Sequence, residues 1–159
     1  MADTELLKID LWKKLAASPI VMVELVKGGG HSEPLTVQLD EHQADTLWFF
    51  IGKHNRVAAG GEAHVHFVSK GHDYFASIAG KAHVVDDRDM ISKLWSNQAE
   101  AWFEGGKDDP NLALLRFDIT EAELWESDVT LTARAKMLLG NPITPDEAGS
   151  HAKVASTVI

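Results

Sequence analysis

Residues 94–110 read LWSNQAEAWFEGGKDDP and carry two of the chain's five tryptophans. Trp95 and Trp102 stand seven residues apart, two helical turns, a spacing that can bring both indoles to one face of a helix. Large aromatics at that spacing ordinarily anchor a helix on a core. Gly105-Gly106 then makes a turn, and Asp108-Asp109-Pro110-Asn111 reads as an acidic surface loop with proline in a favoured position.

Working outward, most of the chain reads as short strands. Thr4 is placed to cap a helix whose apolar stripe is Leu7, Leu11, Leu15 and Trp12, ending near Ser18-Pro19. Strands are expected at 20–26, 33–39 and 47–51. A polar break, Lys53-His54-Asn55-Arg56, precedes a short helical turn before Gly60-Gly61. Residues 63–68 and 73–78 form a hairpin around Ser69-Lys70-Gly71-His72, Gly80 marks a bulge or close strand contact, and 81–85 continues the sheet. Asp86 or Asp87 caps a helix running through Trp95, and a second helical piece spans 99–103. A strand at 112–119 is followed by a turn and further sheet at 120–125, then by a helix at 129–139 stopped by Gly140. The residues after Asn141 read as a loosely ordered tail, so residues 1–140 are expected to form one domain and 141–159 its tail. So many short strands with few helices predict a small closed or split barrel, mainly β with flanking helices.

Bulk properties narrow the function. The 159 residues carry a net charge of −9, with 45% apolar and 25% charged residues. That acidic balance lacks the electrostatic footprint of nucleic-acid binding and is repelled by anionic membranes. There is no cysteine, so disulfide and thiolate chemistry are excluded. The acidic start Met1-Ala2-Asp3-Thr4-Glu5 does not read as a signal peptide, and a cytoplasmic protein is expected.

Two clusters could carry chemistry. The Lys53 to Arg56 turn sets two cations and an amide beside free backbone N–H groups, which suits a phosphate monoester. Arg56 is the stronger candidate because its guanidinium is planar and always charged. His64-Val65-His66 puts two imidazoles on one face of a strand. A closed zinc site needs about four ligands and has no cysteine to draw on, so no structural metal is expected. Gly28-Gly29-Gly30 lacks the Gly-Lys-Ser/Thr of a phosphate loop and reads as a turn.

The ordered series Trp48-Phe49-Phe50, Tyr74 to Gly80, Val84 to Arg88, Trp95 to Gly106, Leu114 to Phe117 and Ala122 to Trp125 resembles the general stress protein 26 family, over roughly residues 5–140. These are FMN-binding split barrels related to pyridoxamine 5'-phosphate oxidase. The resemblance implies FMN as cofactor, a homodimer with cofactor sites at its interface, and a small-molecule redox partner. It also implies site residues. Asn55 stands near the family's serine and Arg56 in place of its lysine, with Lys53 beside them, as the phosphate clamp. Pro34 and Leu35, in a family Arg-Pro-Met segment, join Thr36, Phe50 and Ile51 along the ribityl chain and ring edges. Trp102-Phe103-Glu104-Gly105-Gly106 follows the family's Trp-Phe-Pro-Gly-Gly, with Trp102 as a lid. The departures are Glu33 for the arginine, Ile51 for a threonine and Glu104 for the proline. No side chain presents itself as a catalytic acid or base. Three functions stay open: an FMN-dependent oxidoreductase of the stress response, a non-enzymatic flavin-binding or structural stress protein, and a metal-dependent barrel using His64 and His66.

Overall fold

The computed structural model describes residues 4–28, 30–127, 131–144 and 149–155. Helix α1 (Thr4–Ala17) leads into strands β1 (Ile20–Leu25), β2 (Glu33–Gln38) and β3 (Thr46–Gly52). A 3-10 turn (Arg56–Ala59) precedes the hairpin of β4 (Gly61–Val68) and β5 (Tyr74–Val85). Helices α2 (Arg88–Leu94) and α3 (Asn97–Trp102) follow, then β6 (Leu112–Glu126), α4 (Leu131–Leu138) and β7 (Ser150–Ala155). The strands run β3-β2-β1-β4-β5-β6, every described pairing is antiparallel, and β3 pairs with β6 to close a six-stranded barrel. The expected mainly β barrel with flanking helices is the fold observed.

Alternation explains the closure. Val21, Val23 and Leu25 of β1, Leu47 and Phe49 of β3, and Val65 and Phe67 of β4 turn inward into one core with Phe117. Leu7, Leu11 and Leu15 of α1 join that core, and the Tyr74 hydroxyl donates to the Leu7 carbonyl at 2.6 Å. Burial raises the Tyr74 pKa, so the phenol stays protonated and keeps donating.

Three expectations need correction. β6 is one strand, not a strand, a turn and further sheet. Ala79 pairs with Glu121 but Gly80 pairs with Ile119, so Thr120 is an extra, bulged residue. The inward set of β6 accordingly changes from Phe117 and Ile119 to Ala122 and Leu124. The bulge needs the close contact expected at Gly80, where a Cβ would lie 2.3 Å from the Asp118 carbonyl oxygen. Second, residues 150–155 of the expected loose tail form β7, which pairs with β6 over 121–126, beyond the 112–118 segment taken by β3. In SHAKVA only Ala152 and Val154 alternate toward the core, between His151 and Lys153, a weak apolar signal in a segment that satisfies the free edge of β6. Third, Trp95 and Trp102 do not share one helix face, because the two helical pieces expected here are the separate helices α2 and α3. Ser96 accepts a hydrogen bond from the Ala99 N–H at 3.2 Å and starts α3 afresh, while Trp95 ends α2. Helix α4 ends at Leu138, and Gly140, at φ 70°, closes the turn just beyond it; the expected start at Val129 lies outside the described residues, as does Gly29 of the glycine turn. Among the described residues no helix is long and apolar enough to cross a membrane.

Candidate functional site

The outward residues of β3 build a second cluster, away from the barrel interior. Trp48, Leu114 and Ile91 are buried there, with Phe50, Leu94 and Trp95 packed against them. The Trp95 indole meets Phe50 edge-on at 5.2 Å and Phe103 at 6.4 Å between centroids. This aromatic row seats α3 beside β3 and leaves a cavity of about 370 Å³ between β2, β3 and α3. That volume suits a small ligand or cofactor.

Each wall has a local cause. Pro34, Thr36 and Gln38 of β2 stand at period two, and Leu35 adds an apolar patch. Phe50, Ile51 and Gly52 of β3 form the floor, and Gln98, Ala99, Trp102 and Phe103 form the α3 side. Asn111 comes from the loop after α3. Asp109 shapes that loop by accepting from the Asn111 N–H at 2.8 Å and the Gly105 N–H at 3.0 Å. Those two donors, Asn111 first, hold the Asp109 carboxyl below the usual carboxylate range. Arg88 of α2 ties down the same loop through the Lys107 carbonyl, at 2.9 Å, and the Asp108 carboxylate. The Lys53 N–H donates to the Asn111 carbonyl at 2.7 Å, which locks the loop to the end of β3.

Of the nine residues the sequence nominates, Pro34, Leu35, Thr36, Phe50, Ile51, Asn55 and Trp102 line this cavity. Lys53 and Arg56 do not. Lys53 lies exposed in the turn. Arg56 Nε is 3.3 Å from a Glu33 carboxylate oxygen, and its Nη1 donates to the His31 carbonyl at 3.0 Å. Asn55 spends its side-chain oxygen capping the 3-10 turn, accepting from the Val57 N–H at 2.9 Å, and so has its amide N–H₂ to offer a ligand. Glu33 turns toward Arg56, and its other carboxylate oxygen is buried without a partner.

The lining also contains Gln38, Gly52, Gln98, Ala99, Phe103 and Asn111, which sequence reasoning did not nominate. Gln38 was within reach, because it continues the period of Pro34 and Thr36. Gln98 and Asn111 were not, because only the Ser96 cap, which starts α3 at Asn97, and the Asp109-shaped loop bring them to the site. Among the described residues, no acidic, basic or histidine side chain lines the cavity. Trp102 is 81% exposed at its edge, an unusual position for a large indole.

A flat aromatic ring fits this slot. The floor and one side are apolar, an indole stands free at the edge, and Thr36, Gln38, Gln98 and Asn111 offer neutral hydrogen-bonding groups. A phosphate fits less readily, because the nearby guanidinium is already paired with Glu33.

Comparison with known proteins agrees with this architecture. The family model described as pyridoxamine 5'-phosphate oxidase like matches residues 8–144. A Xanthomonas campestris pv. campestris structure, described as of the general stress family, is 40% identical with a TM-score of 0.75, covering 82% of this chain and 94% of its own. The general stress FMN/FAD binding protein of Xanthomonas citri is also 40% identical, with a TM-score of 0.74 and coverage of 80% and 94%. General stress protein 26 of Bacillus subtilis (strain 168) is 38% identical over 52 residues, which is 33% of this chain and only 36% of that protein.

Proposed function

The chain belongs to the pyridoxamine 5'-phosphate oxidase like family, and on that premise we propose that it binds FMN between β2, β3 and α3 as a flavin-dependent oxidoreductase of the stress response. The observation that carries this reading is the open apolar slot with an indole 81% exposed at its edge. Stacking a planar ring there buries two large flat surfaces at once. The X. citri relative, an FMN/FAD binding protein by name, supports the same ligand class.

When bound, the flavin supplies the electron transfer, and the protein supplies binding and orientation. Phe50 would exclude water from one ring face and Trp102 would cover the other, with Ile51 and Leu35, which pack on the barrel core, along the cavity wall. Thr36, Gln38, Gln98 and Asn111 fix the polar edges. Arg56, Lys53 and the Asn55 amide meet the phosphate. Arg56 does so by exchanging or sharing its Glu33 contact, which lowers the gain relative to a free guanidinium. The proposal includes a homodimer in which the second copy covers the open side of the cavity and Trp102. Sedimentation at micromolar concentration is expected to give a dimer, and a monomer would remove the shared site.

A second reading, a flavin-binding protein without turnover, is favoured by the uncharged lining, which offers no proton donor or acceptor of its own. The deciding experiment purifies the protein from a flavin-replete host, identifies released flavin by chromatography, and measures oxidation of a reduced nicotinamide. FMN with turnover supports the enzyme. FMN without turnover supports the second reading, and absence of flavin binding even at about millimolar concentration rejects both.

A further inference from the structure

The two imidazoles of His64-Val65-His66 have a third potential ligand that their own strand does not contain. β1 and β4 are antiparallel, with Glu24 opposite His64 and Met22 opposite His66. Val23, Leu25 and Val65 face the core, so Glu24, His64 and His66 share the outer face. One ligand atom from each of the three lies within 4.8 Å of the others. His64 Nδ1 is 3.9 Å from the Glu24 carboxylate, and the two imidazole centroids are 6.0 Å apart. The residues opposite on β5 are small, Ala79 beside His64 and Ser77 beside His66, so the rings are not packed under bulky neighbours.

The geometry points to a three-ligand site, Glu24, His64 and His66, for a divalent transition metal, with the remaining coordination positions left to water. Two imidazoles and one carboxylate suit Zn²⁺, Co²⁺ or Ni²⁺, and the carboxylate neutralises one of the two charges. Ligand atoms bonded at about 2.0–2.2 Å to one ion sit roughly 3 Å apart, so closure needs only small rotations of side chains that are partly exposed. The Glu24–His64 contact it replaces is a solvated pair and holds little energy. Lack of cysteine excludes a thiolate site, but not this open one. Other histidines near carboxylates, His83 by Asp118 and His151 by Glu123, gather two ligands each. Among the described residues Glu24, His64 and His66 are the one group that gathers three.

The location adds interest. Met22 is also opposite Pro34 of the cavity wall. The row Pro34, Met22, His66 crosses three adjacent strands, so a metal at His66 stands about 10 Å from Pro34 at ordinary strand spacing. The metal site does not depend on the flavin reading, and its test contains no flavin.

Calorimetric titration of Zn²⁺ into tag-free, full-length protein tests it. One ion per chain is expected, weakened at least about tenfold by His66→Ala and by Glu24→Gln, and unchanged by His83→Ala or His151→Ala. No binding at about 1 mM Zn²⁺, or equal binding by a His64→Ala/His66→Ala double variant, overturns the site. A second measurement needs no variant. Substoichiometric Co²⁺ is expected to broaden backbone amide resonances around Glu24, His64 and His66 first, and broadening centred elsewhere also overturns the proposal.

Discussion

Along β3, Leu47 and Phe49 point into the barrel and are fully buried, whereas Phe50 and Gly52, their alternates, line the cavity beside α3. One strand therefore serves two regions of opposite character. Inside, side chains from β1, β3, β4, β5 and β6 interdigitate with α1 and close the space. Outside, the aromatic row of Phe50, Trp95 and Phe103 props α3 away from β2, and the gap stays open. The contrast teaches that stability and ligand binding reside on opposite faces of the same sheet. Substitutions on the two faces should then be separable.

The largest effect tests the interior. Phe117→Ala removes a fully buried ring from the core and should cost about 3–5 kcal/mol in urea unfolding. Cavity substitutions that cost as much would break the contrast. Next comes the phosphate end. Arg56→Ala should weaken FMN by about 1.5–3 kcal/mol, roughly 10- to 150-fold, while leaving riboflavin nearly unaffected. Glu33→Gln releases Arg56 from its carboxylate partner and should move FMN the other way, again without riboflavin following. Equal changes in both ligands, read by fluorescence titration, would place the phosphate elsewhere. Trp102→Ala comes third. It should weaken both flavins by about 0.5–1.5 kcal/mol and shift unfolding by no more than about 0.5 kcal/mol.

The smallest effect concerns neither face but the junction of α1 with the hairpin. Lys14 Nζ lies 2.7 Å from Asp73, and Ser69 donates to the same carboxylate at 2.7 Å. Lys14 first, then Ser69, lowers the Asp73 pKa. A depressed folded pKa means stability that is present above the unfolded value, near about 4, and lost as pH falls through the folded one. Melting curves of the parent and Asp73→Asn should therefore differ at neutral pH and approach each other as the pH falls below roughly 4. A difference that grows in acid would reverse the assignment.

Much of the fold was legible because the strands alternate and their borders are marked. β1, β2 and β3 carry short apolar or β-branched runs between turn residues, and Gly80 announced its own close contact. β6 was harder, because the extra Thr120 reverses the inward parity and mimics a turn. β7 was missed, since its apolar period rests on only two residues, the small Ala152 and Val154, in an otherwise polar segment. The cavity was partly legible through Pro34, Thr36 and Phe50. Gln98 and Asn111 depend on a helix restart at Ser96 and on a loop tied by Asp109, neither of which spacing alone can supply. The Arg56–Glu33 pair and the Glu24–His64 pair share another obstacle. Each joins separate elements, and only the folded register tells which residues meet.

The central claim, that a flavin ring occupies the slot between β2, β3 and α3, is tested most directly by filling the slot. Thr36 is partly exposed on the outer face of β2 and lines the cavity, so Thr36→Trp places an indole in it without touching the barrel interior. Titrating FMN and riboflavin against the parent and this variant, with urea unfolding of both, gives the answer. The parent should bind both flavins, and the variant neither, at an unchanged unfolding midpoint. Equal flavin binding by the two proteins would contradict the account.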